Sequence, residues 1–155
     1  MTPIPRLIPI FAACFAVGLA VTAGTSFAAG SDSTTPASQS SYNEAKAAVD
    51  AGRYPGALKI LAQVVKAEPR NADALNLMGY SNRKMNRYSE AARYYEAALK
   101  ADPKHLGALE YQGELFIEMG DFAKAKANRD RLSVLCGSCE ELTDLQAALT
   151  EAGHS

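Results

Sequence analysis

Three short stretches of the chain repeat one another at a fixed interval. Ala51-Gly52-Arg53-Tyr54, Met85-Asn86-Arg87-Tyr88 and Met119-Gly120-Asp121-Phe122 stand 34 residues apart. Three residues after each aromatic comes an alanine (Ala57, Ala91, Ala125), and 12 residues after the first two alanines comes a proline, Pro69 and Pro103. Gly137 fills the third such slot. A period in this range marks a chain made of stacked copies of one supersecondary unit, because a single copy cannot bury its own apolar face. Alanine recurs through the second half among Leu, Tyr, Glu and Lys, a helix-forming vocabulary, so each copy reads as two short helices. Gly52, Asn86 and Gly120 fall between those helices, where a left-handed residue is commonly needed. Pro69 and Pro103 end the second helix of their copies. Ala45, Gly79 and Gly113 are small enough to let neighbouring helices approach closely.

This pattern resembles the tetratricopeptide repeat. Copies run over residues 38–71, 72–105 and 106–139. The middle copy matches best, with Leu75, Met78-Gly79, Tyr88, Ala91, Tyr95, Ala98 and Pro103. The first keeps Ala45, Gly52, Tyr54, Ala57, Leu61, Val64 and Pro69; the third keeps Leu109, Gly113, Phe116, Gly120-Asp121-Phe122 and Ala125. The third departs at Arg129, where a large apolar residue is usual, and at Gly137. The resemblance implies an all-α, right-handed α-solenoid of three helix-turn-helix repeats over residues 41–152. A further helix over about 139–152 places Leu142, Leu145 and Leu149 on one face, suited to covering the open end of the stack. Ser138-x-x-Glu141 reads as its capping box.

The residues before the repeats have a different character. Arg6 precedes an uncharged apolar run from Leu7 to about Ala23, and Ser26-Phe27-Ala28 supplies small residues around a cut after Ala28. That arrangement is expected of a secretory signal peptide over residues 1–28. Two other readings stay open: an uncleaved anchor, and a lipid anchor at Cys14. The stretch from 29 to about 40, AGSDSTTPASQS, lacks large apolar residues and reads as a flexible linker. A cut after Ala28 leaves 127 residues with net charge -2. The expected location is the periplasm or the outside of the cell, without stable membrane insertion once the signal is removed.

Composition narrows the function. Net charge near zero and no clustered basic surface argue against nucleic acid as a partner. No phosphate-binding loop, catalytic dyad or metal-ligand set stands out, so a non-catalytic protein without cofactor or metal is expected. The resemblance implies that the first helix of each copy lines a concave groove for a protein or peptide partner, in an exported adaptor acting in envelope assembly. The groove residues it implies are Tyr42, Lys46, Asn76, Tyr80, Arg83, Lys84, Glu110 and Glu114. Lys46, Arg83 and Lys84 would make a basic end, and Glu110, Glu114 and Glu118 an acidic one. Tyrosines between them suit a binding surface. Some relatives grip a terminal carboxylate with Lys and Asn on these helices. Here Tyr42 and Lys46 occupy those places, and Gly107 and Tyr111 stand where basic residues are needed, so that clamp is not expected.

Cys136-Gly137-Ser138-Cys139 leaves two roles to weigh. In an oxidising compartment the pair would close a short disulfide, worth about 2 kcal/mol by loop entropy. The alternative is a thiol-disulfide redox centre. Cys139 begins a helix, which lowers a thiol pKa, while Glu140 and Glu141 raise it, and no βαβ pattern surrounds the motif. A tetrahedral metal site lacks its other two ligands.

Overall fold

The computed structural model describes residues 36–154. Seven helices fill them: α1 Pro36–Asp50, α2 Tyr54–Ala67, α3 Ala72–Lys84, α4 Tyr88–Ala101, α5 Leu106–Glu118, α6 Phe122–Cys136 and α7 Glu140–Glu151. No strand occurs among the described residues. α1 pairs with α2, α3 with α4 and α5 with α6, and each new pair packs on the one before it. α7 packs on both α5 and α6, as the first helix of a further copy would. The all-α solenoid and its three-copy phase are therefore as the sequence indicates. The proposed signal peptide, Cys14 and the start of the linker lie outside the described residues. The linker is shorter than expected at its other end, because Pro36–Ser40 belong to α1. Proline is compatible with a first helical turn, where its missing N–H has no partner to lose.

Each pair turns in the same way. Gly52, Asn86 and Gly120 have positive φ of 70°, 60° and 78°. The amide after each reaches back to the preceding helix: Arg53 N–H to Ala48 O at 2.8 Å, Arg87 to Asn82 at 2.9 Å and Asp121 to Phe116 at 2.7 Å. These six-to-one bonds satisfy carbonyls that a helix end otherwise leaves orphaned.

Close packing accounts for the small residues. A Cβ on Gly79 would lie 2.5 Å from Cε1 of Tyr95, a fully buried ring of α4. The corresponding slot on α6 is Arg129, which turns outward to bond Asp130 instead. The space over Gly113 is filled by α7: a Cβ there would lie 2.6 Å from Cδ2 of Leu145. Asn128, next to Arg129, is buried and donates to Leu109 O and Gln112 Oε1, both at 3.0 Å. The irregular third copy thus keeps a continuous α6 by borrowing its apolar filler from the next helix. Leu142, Leu145 and Leu149 are all buried in that last core, as their spacing predicts.

The expected capping box is absent. α7 is capped by Cys139, without a side-chain bond. Gly137, at φ 71° and ψ -42°, makes a tight turn in which Ser138 N–H donates back to Cys136 O at 2.8 Å. That turn holds Ser138 outside the helix, so Glu141 has no capping partner there.

Candidate partner-binding groove

The inner face is built from the first helix of each pair, α1, α3 and α5, continued by α7. The predicted residues do not contribute equally to it. Tyr42 is half-buried against the core of the first pair, and burial, with Asp73 and Asp50, pushes its phenol up to about 12. Lys46 is exposed and pairs with Asp50 at 3.0 Å. Asn76 is buried, and its Oδ1 has no hydrogen-bond partner. A Cβ on Gly107 would lie 3.3 Å from Asn76 Nδ2, so that glycine makes room for the amide between α3 and α5.

Tyr80 sits in a row of rings. Tyr54 lies 6.3 Å from it, edge to face, and Tyr111 lies 5.0 Å away on the other side. Lys84 Nζ stands 5.2 Å from the Tyr80 ring centre, and the Arg83 guanidinium stands 5.5 Å from Tyr80 and 5.8 Å from Tyr111. The row spans all three repeats. Tyr54 and Tyr111 were not among the predicted groove residues, since their joining depends on distances between copies.

The expected basic end does not form around Arg83. Its side chain is only 4 % exposed, with Nη2 bonded to Glu114 and Nη1 to Glu118 at 2.7 Å. These partners lie 31 and 35 residues away, on the next copy. Arg83 is therefore a cross-repeat brace, and Lys84 is the exposed cation beside it.

The acidic end extends further than expected. Glu110 is 6 % exposed, and burial is the main cause that pushes its carboxyl up to about 8. Glu114, Asp144 and Glu141 add repulsion, and Arg83 opposes them. Asp144 and Glu141 belong to α7, which the sequence reading treats only as a cover. Glu141, Asp144, Ala148 and Glu151 share one face by their spacing, a signal that would have exposed this second role. An open depression of about 260 Å³ lies between α5 and α7, lined by Arg83, Glu114, Ile117, Glu118, Ala148, Glu151 and Ala152.

Elsewhere, Asp73 accepts from His105 Nε2 at 3.1 Å while His105 Nδ1 caps α5 by accepting Ala108 N–H at 3.1 Å. That bond holds the Asp73 carboxyl below its usual range. The Cys136 and Cys139 sulfurs are joined, with Cα atoms 5.6 Å apart, and both residues pack against the last core. Among the described residues no group of three or more His, Cys, Asp or Glu could hold a metal ion. No described helix is long and apolar enough to cross a membrane.

The sequence pattern described as "Tetratricopeptide repeat" matches residues 42–84 and 76–129, more than half of the chain. The chain belongs to the tetratricopeptide repeat family. Its fold is similar to the Sgt2 tetratricopeptide domain of Aspergillus fumigatus, at 22% identity and TM-score 0.69, over 80% of this chain and 85% of that one. The type III secretion translocator chaperone SycD of Yersinia enterocolitica matches at 18% identity and TM-score 0.67, over 76% and 89% of the two chains. The first repeat domain of Spaghetti (RPAP3), solved with the HSP90 peptide SRMEEVD, matches at 14% identity and TM-score 0.66, over 75% and 93%. No curated protein matches the chain in sequence. At these identities the likeness is one of fold.

Proposed function

We propose that this tetratricopeptide repeat chain is a non-catalytic adaptor that binds a partner polypeptide along its inner face, after export, in the assembly of the cell envelope. The observation that carries the binding reading is the tyrosine row. Tyr54, Tyr80 and Tyr111 form a continuous aromatic path over three repeats, half-buried rather than sealed in a core. Such rings offer contact area at low entropic cost, and they are enriched where interfaces concentrate their energy. Family membership and the RPAP3 complex with an HSP90 peptide support a polypeptide ligand. Export rests on the Arg6, apolar run and Ala28 pattern at the amino terminus.

In this reading Cys136 and Cys139 pin the turn into α7 and do no chemistry. The expected location follows from the same premise, since a disulfide persists in an oxidising compartment. Affinity capture from an envelope extract tests the reading. The Tyr80→Ala/Lys84→Glu variant should recover its partner at least ~10-fold less well than the native chain. Capture under reductant should stay unchanged, because the sulfurs lie outside the groove. Undiminished recovery by the variant would reject the groove. Turnover of a reduced protein substrate would transfer the function to the thiols.

A further inference from the structure

Two rows of carboxylates face one another across the C-terminal half of the inner face. Glu110, Glu114 and Glu118 recur along α5, and Glu141, Asp144 and Glu151 along α7. Neither helix contains a Lys or Arg. The nearest cation, Arg83, is already bonded to both Glu114 and Glu118. Glu110 is the unusual member. It is 6 % exposed, yet it accepts no hydrogen bond and forms no ion pair. The charges that act on it come from α3, α5 and α7, the helices of the inner face.

Resting on the groove reading above, we propose that this half of the groove receives a basic side chain, Lys or Arg, from the bound polypeptide. Ionising Glu110 among these like charges is costly, and a cation brought by a partner offsets that cost on binding. An ammonium carries three donors and a guanidinium five, enough to satisfy Glu110 together with its acidic neighbours. The spacing disfavours a divalent ion: the carboxylates are close enough to repel, yet no three of them converge as metal ligands. The open depression lined by Glu114, Glu118 and Glu151, together with the already bonded Arg83, lies one helical turn along α5 from Glu110 and has room for a long basic side chain. The polarity is opposite to a groove that holds an acidic tail, which fits the absence of basic residues at Gly107 and Tyr111.

The probe is a pair of Ala-rich labelled peptides, one with Lys at helical i, i+4 spacing and one with Glu in the same places, titrated against the full chain by fluorescence anisotropy. The native chain should bind the Lys peptide at least ~10-fold tighter, with affinity falling as salt rises. Glu110→Gln and Asp144→Asn should each shrink that ratio severalfold. Asp144 is exposed, so its variant keeps the fold if Glu110→Gln does not. Equal or tighter binding of the Glu peptide, or an unchanged ratio in both variants, overturns the proposal. Captured partner provides the separation from the broader reading. Partner lost on Tyr80→Ala but kept by both acid variants leaves the groove standing and sinks the basic ligand. Partner kept by all three variants sinks the groove itself.

Discussion

Glu110 gives the folded chain a definite dependence on pH. Its carboxyl is raised from an ordinary 4.5 to about 8, so the folded state holds this proton more tightly than the unfolded state does. For a raised acid, stability is fully present below the unfolded value and declines as pH rises through the folded one. Urea unfolding should therefore show the native chain losing about 2 kcal/mol between pH 5 and 8 from this group, the raw shift being discounted for solvent at the groove. Glu110→Gln should flatten that slope and be the more stable protein at pH 8. Parallel pH profiles for the two chains would remove Glu110 as the cause. The carboxylates held by hydrogen bonds, Asp73 and Asp121, are lowered and act in the opposite sense at more acid pH, outside this window. The sequence makes Glu110 visible as a groove position, because helix phase places it there. It does not reveal burial without a partner. Nor does it reveal that Arg83 is consumed, since a bond to residues 31 and 35 positions away has no local signature. Tyr80 was legible for the opposite reason: its place depends only on the period.

Helices α5, α6 and α7 show how a repeat tolerates a broken rule. The slot held by Leu61 and Tyr95 in the first two copies is Arg129 in the third, the departure that the sequence shows. The helix is intact because Leu145 of α7 lies over Gly113, where Tyr95 lies over Gly79. Seen locally, Arg129 is a defect; seen with α7 docked, the apolar filler has moved to another helix. The amphipathic period of α7 was legible, and its exchange of roles with α6 was not, because the trade depends on which helix reaches the glycine. This exchange predicts a strong coupling. Gly113→Ala alone should cost about 1–3 kcal/mol through overpacking, and Leu145→Ala alone about 2–5 kcal/mol through the cavity it leaves. Together they should cost at least ~1 kcal/mol less than the sum, because the new methyl partly fills the space the leucine vacates. Strict additivity in chemical denaturation would mean that α7 does not rest on α5 as described.

A stack of helical pairs is joined only through neighbours, so its stability need not be uniform along the chain. The cross-repeat links concentrate in the second and third copies. Arg83 of α3 binds Glu114 and Glu118 of α5, and His105 at the start of α5 binds Asp73 at the start of α3. Arg131 of α6 also reaches Pro103 O at 2.9 Å, behind α4. α1 has its ion pair, Lys46 to Asp50, within the helix rather than between copies. Its buried apolar residues are Ala45, Ala48 and Val49, whereas α5 buries Leu109 and Leu115 and α7 buries three leucines. Apolar burial scales with area, so the alanines of α1 hold it less firmly than leucines would. Among the described helices it packs only on α2 and α3, while α5 has neighbours on both sides. Amide hydrogen exchange should therefore show α1 opening first, with amides protected at least ~10-fold less than those of α3 and α5, which exchange only with the opening of the stack. Protection in α1 equal to that in α5 would show that the chain unfolds as one cooperative block. In that case the unequal placement of leucines and cross-repeat bonds would not divide it into separable parts.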